Sequence, residues 1–496
     1  MPAIARDGVN FCWLARDLAQ HGVAALRFEH FQQHPLFPML IVALQQIFRA
    51  AGAPDSPLTW QAAGQTVAML SGIAVVVLAG RLAYRIHAQT APDAPSGGVA
   101  AAASGLLLMS VLPLAVALSV DVMSDLLHLA LYLAAVLVLL RLDSAPRAVA
   151  LGLLASLAFL TRPEGATPAL VGGALLLTTA RTRPVRRTLA MLAALSIPAL
   201  VLLIPYWIAC GSLSPKLDKQ TVHALSELTP ALAIASPNAA EARLSRDIVP
   251  WYAAAPRAAY EAFRAGRVVV PLLAFATLVV LRRHLLTSLA GVTGCAATHF
   301  LLISLLIYRH GYLDPRHTLV LTALAIPFAA LALLRVVCSL RRIHQPAIAG
   351  AILAPLAIYA ARVPNDQTAH LREAANWLIN AEPAPETKIL VGGASERRIA
   401  FYANMPFQPW DENQPAGDPR FEALRHQILD AQPPYQPAYL AIEVGDGDER
   451  AQNRELLARF LADTPAKHCA ELAARFPARR GDLVIYRFDW RRLHGP

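Results

Sequence analysis

Long apolar runs separated by short polar loops make up the chain between residues 61 and 361. Three of the runs, 61–80, 96–120 and 188–215, contain no Asp, Glu, Lys or Arg. Seven further runs are comparably apolar: 126–140, 148–161, 165–180, 268–281, 285–308, 318–334 and 343–361. Because a membrane-spanning helix needs about 20 mostly apolar residues, the pattern predicts an α-helical polytopic membrane protein with about ten spans.

The pattern changes at residue 362. From there to residue 496 the chain is rich in charged residues, Pro and Gln, and short strand-like runs alternate with helical ones. The predicted strands are 388–391, 439–444 and 483–488, and the predicted helices are 366–379 and 454–462. A segment of this length can form its own core, so we expect a small α/β domain at 362–496 behind a transmembrane domain at 1–361.

The overall composition agrees with a membrane protein. Of the 496 residues, 56% are hydrophobic and 16% are charged, whereas soluble domains carry about 25% charged residues. The net charge of +10 would fit a nucleic-acid partner if the basic residues formed one patch. They instead cluster in every second loop between the apolar runs, which excludes that partner. The clusters are Arg81 and Arg85; Arg141 and Arg147; Arg181, Arg183, Arg186 and Arg187; Arg282 and Arg283; and Arg335, Arg341 and Arg342.

These basic loops predict the orientation, because cytoplasmic loops carry the excess of Lys and Arg. The first loop (residues 1–59), the long loop 211–267 and the domain 362–496 are then expected outside the cytoplasm. No apolar segment precedes Asp7 to carry the first loop across the membrane. We therefore expect a further transmembrane helix ahead of Met1, encoded upstream of the assigned start; the alternative is an external N-terminus without such a helix.

Polar residues with chemical potential recur at the predicted external ends of the spans. They form four clusters: Arg6, Asp7 and His34; Asp121 and Asp125; Arg162 and Glu164; and Arg316 and His317. Ionisable residues beside membrane spans are costly and often functional. Each cluster can also be a solvated turn or a helix cap, but four of them on one side favour a site. No Cys/His spacing typical of a metal centre occurs, which leaves the metal requirement open.

The order of these motifs resembles the GT-C glycosyltransferases. Arg6-Asp7-Gly8, an Ala/Leu-rich helix and His34-Pro35-Leu36-Phe37-Pro38 are similar to their first external loop. The similarity is to the branch of the dolichyl-phosphate-mannose protein mannosyltransferases and the bacterial aminoarabinose lipid A transferases. It extends over residues 5–361 and includes Thr161-Arg162-Pro163-Glu164-Gly165 and Arg316-His317. Many relatives carry Asp-Glu where this chain has Asp7-Gly8.

The resemblance implies transfer of a sugar from a polyprenyl-phosphate carrier to an acceptor hydroxyl outside the cytoplasm. A carboxylate can accept the hydroxyl proton, and Asp7 is the candidate base. The departing lipid phosphate needs cationic donors, for which the chain offers Arg6, Arg162, Lys216 and Arg316, with His34 and His317 as weaker donors. Asp121, Asp125 and Glu164 complete the predicted substrate-binding set. Lys216 can equally be an interfacial lysine that contacts ordinary phospholipid.

The long loop contains aromatic residues interleaved with charged ones: Trp251, Tyr252, Arg257, Tyr260, Glu261, Phe263 and Arg264. This pattern predicts an amphipathic helix in the membrane interface. Such a helix can be an anchor or a lid over a lipid donor, and the sequence favours the anchor.

The leading hypothesis is therefore a multi-pass glycosyltransferase of the bacterial cytoplasmic membrane. Its partners are membrane lipids, a lipid-linked sugar donor and a glycan, lipid or protein acceptor. The alternatives are a transporter or lipid flippase, and a non-catalytic scaffold. A transporter is expected to carry charges in the middle of its spans, where His128 and His299 are the candidates. A scaffold has no need for matching Asp, Arg and His residues at one side.

Overall fold

The structure is a computed structural model. It describes residues 5–27, 33–91, 93, 95–182, 184–211, 251–310, 314–339, 342–361, 369–382, 384–393, 396–409, 418–429, 431, 436–445, 448–462, 464–478 and 481–494. Lys216 and most of the long loop 211–267 lie outside the described residues.

Within the described residues, nine α-helices belong to the first part of the chain. They are α1 (Arg6–His21), α2 (Leu36–Ala50), α3 (Pro57–Thr90), α4 (Pro95–Ser110), α5 (Pro113–Ser119), α6 (Asp125–Leu139), α7 (Ala145–Phe159), α8 (Thr167–Thr178) and α9 (Val185–Cys210). Local sequence sets several of their starts. The Ser56 side chain accepts a hydrogen bond from the Thr59 amide at the start of α3, and Pro57 occupies the first helical position, where its missing N–H costs nothing.

Five more α-helices are described in the second part of the membrane body, from residue 251 onward. They are α10 (Trp251–Ala265), α11 (Val269–Leu285), α12 (Ala290–His310), α13 (Leu319–Cys338) and α14 (Gln345–Ala361). Two short 3-10 turns, Pro163–Ala166 and Pro315–Thr318, lead into α8 and α13.

All ten predicted apolar runs coincide with helices, although one run is broken. Run 96–120 divides at Leu112 into α4 and α5, which meet at a bend of 64°. Among the described residues, four helices are long and apolar enough to cross a membrane. The number rises to six if each of two bent helix pairs counts as one span. The chain is thus a helical multi-pass membrane protein.

The predicted amphipathic helix of the long loop is present as α10. Tyr252 and Tyr260 on this helix are 67% and 63% exposed, whereas Glu261 is buried. Between α10 and α11 the chain turns by 112°. The buried face of α10 packs on α12 through Ala254, Ala258, Ile303 and Ile307. The helix also lies against the turn Pro315–Thr318. This position is the same whether α10 serves as a membrane anchor or as a lid.

The remainder of the chain forms one five-stranded sheet with helices. The helices are α15 (Ala369–Ala381), α16 (Arg397–Ala403), α17 (Asp418–Leu429), α18 (Asp448–Ala462), α19 (Thr464–Cys469) and α20 (Arg491–His494). The strands are β1 (Ile389–Gly392), β2 (Phe407–Pro409), β3 (Pro437–Gly445), β4 (Ala470–Ala478) and β5 (Gly481–Phe488). Their order is β2-β1-β3-β5-β4, with β1 parallel to β2 and β3 and the β3–β5–β4 pairs antiparallel. The predicted α/β character of this part is confirmed.

The sheet region shares part of its core with the start of the chain. One buried cluster joins Val9 and Phe11 of α1 to Phe401 of α16. Polar contacts reinforce it: Arg397 donates to Asn10 at 2.6 Å. A second cluster, built around β3, β5, α17 and α18, belongs to the sheet region alone. The sheet region therefore has its own core and also holds α1 in place.

Candidate functional site

An ion pair joins two predicted site residues that are far apart in the sequence. Asp7 lies in the first turn of α1, and Arg316 lies in the 3-10 turn before α13. The Arg316 Nη2 atom donates to Asp7 Oδ2 at 2.8 Å, and both side chains are about one quarter exposed. Asp314 caps the same turn by accepting from the Arg316 amide at 3.0 Å. The pair is thus fixed at both ends and open to solvent or a ligand.

A second, more buried network is centred on Arg162. Its Nε donates to Glu164 Oε1 at 2.7 Å, and its Nη1 donates to Asp125. Its Nη2 donates to His317 Nδ1 at 2.8 Å. The guanidinium therefore joins the end of α7, the start of α6 and the start of α13. The carboxylate of Asp125 belongs to a side chain that is only 4% exposed, so its charge depends on Arg162 for compensation.

The turn that presents Arg162 requires a glycine. The Arg162 amide donates to the Ala158 carbonyl, and the Gly165 amide donates to the Arg162 carbonyl. A Cβ atom at Gly165 would lie 2.2 Å from the Ala158 carbonyl carbon, which no other residue type tolerates without a shift of the backbone. The Thr-Arg-Pro-Glu-Gly motif thus has a steric reason for its last member.

Electrostatics keep Glu164 ionised. Burial raises the pKa of the Glu164 carboxyl, but the neighbouring Arg162 guanidinium outweighs that effect and holds the pKa well below its usual range. A salt bridge of this kind favours the charged form of the acid. Four carboxylates, those of Asp7, Asp125, Glu164 and Asp314, contact the two guanidiniums of Arg162 and Arg316.

Asp121 lies close to the start of α1 and has a different environment. Its Oδ1 accepts hydrogen bonds from the backbone amides of Ala5 at 3.1 Å and Val122 at 2.7 Å. Burial raises the pKa of this carboxyl, and the two amide hydrogen bonds offset only part of the rise. Asp121 thus ties the connection between α5 and α6 to the residues just ahead of Asp7.

Two histidines and a tyrosine that the sequence did not assign to the site lie next to the Arg162 network. His128 Nδ1 lies 3.3 Å from Thr161 Oγ1, and His299 Nε2 lies 3.2 Å from the His317 carbonyl oxygen. The ring of Tyr132 lies between the two histidines, with centroid distances of 5.8 Å and 6.1 Å. His128 follows Asp125 by three positions and therefore shares its helix face, which was the available sequence signal.

A small pocket lies between α6, α13 and the two 3-10 turns. It is lined by both polar and apolar residues: Asp125, His128, Leu129, Arg162, Glu164, Arg316, His317, Leu319 and Val320. Six of these nine residues are ionisable, and the free volume of about 10 Å³ has room for about one water molecule.

Other predicted residues lie elsewhere or outside the described part. His34 is buried, and its ring packs 5.6 Å from that of Phe159 and 6.1 Å from that of Tyr206. The Arg6 side chain and all of Lys216 fall outside the described residues. In the part that the structure describes, no three His, Cys, Asp or Glu side chains are grouped as metal ligands.

The chain shares its fold with solved structures of ArnT and of an archaeal oligosaccharyltransferase. Two crystal structures of ArnT from Cupriavidus metallidurans share it over 98% of this chain and 94% of theirs, with 16% sequence identity. The structure bound to undecaprenyl phosphate has a TM-score of 0.59, and the apo structure has 0.60. No family model and no curated protein matches the sequence.

A third structure with this fold is the archaeal oligosaccharyltransferase AglB from Archaeoglobus fulgidus, in complex with an inhibitory peptide and a dolichol-phosphate. It is 12% identical with a TM-score of 0.51, over 89% of this chain and 66% of its own. At these identities the likeness establishes the fold.

Removing the Arg162 guanidinium should destabilise the protein strongly. In Arg162→Ala the carboxylates of Asp125 and Glu164 lose their buried partner, and breaking a buried pair costs about 3–5 kcal/mol. The measurement is the thermal unfolding midpoint of the detergent-solubilised protein. Arg475→Ala is the matched control, because Arg475 pairs with Asp482 while 66% exposed, and exposed pairs contribute about 0–1 kcal/mol. Equal shifts for the two variants would show that the Arg162 network carries no special stability.

Proposed function

We propose that this protein is a glycosyltransferase that moves a sugar from a polyprenyl-phosphate carrier to an acceptor hydroxyl. The reaction takes place at the extracytoplasmic face of the bacterial cytoplasmic membrane, and the acceptor is a hydroxyl of a glycan, a lipid or a protein. The observation that carries the proposal is the Asp7–Arg316 ion pair beside the charged pocket. It brings together a base for the acceptor and a cation for the leaving phosphate.

The class of donor is supported by the structural comparisons. One ArnT structure holds undecaprenyl phosphate, and the AglB complex holds a dolichol-phosphate. Both ligands are polyprenyl phosphates in proteins of the same fold. A carrier of this kind needs an apolar path for its chain and a cationic site for its phosphate, and the apolar helices and Arg316 provide these two elements.

Asp7 is the proposed general base. An acceptor hydroxyl is a weak nucleophile, and a carboxylate within hydrogen-bond reach can take its proton as the bond to the sugar forms. Asp7 is partly exposed, so an acceptor can approach it. Its backbone is fixed by α1, which packs against the sheet region through Val9 and Phe11.

Arg316 is the proposed partner of the lipid phosphate. In the structure its Nη2 atom is bonded to Asp7. A phosphate offers more charge and more acceptor oxygens than a carboxylate, and arginine binds it in a two-pronged manner. A bound donor therefore competes with Asp7 for the guanidinium. Once the phosphate binds Arg316, the Asp7 carboxylate is released from the ion pair and can accept a hydrogen bond from the acceptor hydroxyl. Donor binding is thereby coupled to activation of the base.

Arg162 has a supporting role in this proposal. The sequence alone makes Arg162 a candidate hydrogen-bond donor to the lipid phosphate. In the structure, however, its Nε, Nη1 and Nη2 atoms already donate hydrogen bonds to Glu164, Asp125 and His317. Binding phosphate there would cost these buried contacts. We therefore propose that Arg162 holds Asp125 and His317 at the pocket wall. His128 lines the same wall, and His299 supports it through its contact with the His317 carbonyl.

The position of the charges favours a transferase over a flippase. Asp125 is the first residue of α6, Arg162 follows α7, and Arg316 precedes α13. Asp125, Arg162 and Arg316 thus lie at the ends of these helices. A transport pathway is expected to place its ionisable residues near the middle of the bilayer.

Replacing Asp7 by Asn should abolish most of the transfer activity. Asn keeps the size of the side chain but cannot accept the proton, and general-base catalysis contributes about 10²–10⁴-fold. The measurement is the single-turnover rate of sugar release from a polyprenyl-phosphate donor by purified protein. Asp17→Asn is the matched control, since Asp17 lies on the same helix more than two turns away, and it should retain the wild-type rate.

Asp121→Asn distinguishes the two carboxylates near the start of α1. We expect it to alter stability more than the rate of transfer, because Asp121 already accepts two backbone hydrogen bonds. Loss of transfer in Asp121→Asn together with a normal rate in Asp7→Asn would move the base to Asp121 and refute the role of Asp7.

Reporter fusions should place the candidate site outside the cytoplasm. Fusions after Arg187 and Arg283 follow basic loop ends and are expected to read as cytoplasmic. Fusions within residues 225–245 and after Arg362 are expected to read as external. A cytoplasmic signal from the fusion after Arg362 would contradict the proposed side of the reaction.

A further inference from the structure

A second cleft lies at the opposite ends of the helices that carry the candidate site. Helix α6 begins at Asp125 in the site and ends at Leu139, and α7 begins at Ala145 and ends just ahead of Arg162. A 15-residue helix is about 22 Å long, so the far ends of α6 and α7 are at another level of the membrane. The cleft between these ends and α3 encloses about 450 Å³.

The cleft combines a basic rim with an apolar wall. Arg81 and Arg85 come from α3, and Arg141 and Arg147 come from the connection between α6 and α7 and the first turn of α7. The rest of the lining is almost entirely apolar: Leu78, Ala134, Leu137, Val138, Pro146, Ala150 and Leu154.

Most of the positive charge at the rim has no acidic partner. Arg147 pairs with Asp143. Within the described residues, Arg81, Arg85 and Arg141 form no ion pair. Several guanidiniums around one cleft repel each other unless an anion lies between them. Arginine matches the oxygens of a phosphate especially well, so a phosphate group is the ligand chemistry that this rim favours.

The apolar wall identifies the source of the phosphate. Val77, Val149 and Leu153 flank the lining residues along α3 and α7, and they are 47%, 42% and 42% exposed. Exposed apolar side chains on membrane helices suit contact with the hydrocarbon of the bilayer, so a lipid chain can reach the cleft from that side. A free phosphate ion would contact only the basic rim. A lipid would contact the rim with its phosphate and the apolar wall with its acyl chain.

We propose that this cleft binds an anionic phospholipid, with its phosphate at the four arginines and the upper part of an acyl chain along the apolar wall. Basic pockets between transmembrane helices are suited to such headgroups. The lipid would lie in the leaflet opposite the candidate site. It would bridge α3 to the connection between α6 and α7, and so brace the helices whose other ends position Asp125 and Arg162. The inference does not depend on the proposed transferase activity.

Basic residues at one membrane face also orient a protein during insertion, so an orientation effect must be separated from binding. Arg282 and Arg283 provide that separation. They lie in the last turn of α11 and do not line the cleft. A double substitution there removes the same charge from another part of the chain, and it serves as the matched control.

The test is native mass spectrometry of the purified full-length protein in detergent, titrated with phosphatidylglycerol or with phosphatidylcholine of the same acyl chains. The wild type should bind phosphatidylglycerol more tightly by about tenfold or more, since the choline cation of the zwitterionic lipid cancels the charge of its phosphate and is repelled by the arginines of the rim. Arg81→Gln/Arg85→Gln should lose that preference, and Arg282→Gln/Arg283→Gln should keep it. Arg81→Lys/Arg85→Lys preserves the charge and should retain part of the preference for phosphatidylglycerol. This variant serves as the test if the glutamine variant does not fold.

Three results would overturn the proposal. The first is equal affinity of the wild type for the two lipids. The second is an equal loss of preference in the cleft variant and in the α11 control. The third is displacement of phosphatidylglycerol by inorganic phosphate at comparable concentration, which would identify the cleft as a site for free phosphate.

Discussion

The candidate site depends on one buried guanidinium. Arg162 holds Glu164, Asp125 and His317 at once, and these residues begin or precede three different helices. Each of these polar groups would be costly to bury alone, so the helix ends meet only because the arginine compensates all of them. The tight turn after α7, with Gly165 against the Ala158 backbone, delivers the guanidinium to this point. The pocket wall is a consequence of that convergence.

The Asp7–Arg316 pair, which is the reactive pair of the proposed mechanism, lies at the edge of this network. Arg316 adjoins His317, which Arg162 holds, while Asp7 is carried by α1 and backed by the sheet region. The membrane body thus positions the cation and the C-terminal region supports the base. In the proposed mechanism this division gives the sheet region a structural purpose, because it holds the helix that carries the proposed base. An ion pair between two separately supported elements can be exchanged for a phosphate without disturbing either support.

The sequence predicted the helical body well, since all ten apolar runs lie on helices, and it predicted three of the five strands. Strand β4 was missed because its Glu471, Arg475 and Pro477 interrupt the apolar pattern of an edge strand. The site residues at helix ends were predicted from charge in apolar surroundings. Their pairing was not, because the Asp7–Arg316 contact spans 309 positions and no local pattern encodes it. From the sequence, His128 and His299 are only candidates for the mid-span charges of a transporter, because the residues that they contact on other helices cannot be read from the sequence.

The exchange of Asp7 for phosphate at Arg316 is the central claim, and a double-mutant cycle on binding tests it most directly. The affinity for undecaprenyl phosphate is measured by native mass spectrometry for the wild type, Asp7→Asn, Arg316→Ala and the double variant. If the phosphate displaces Asp7, then Asp7→Asn tightens binding while Arg316 is present and has no effect in the Arg316→Ala background. Weaker binding in Asp7→Asn, or the same change in both backgrounds, would contradict the account.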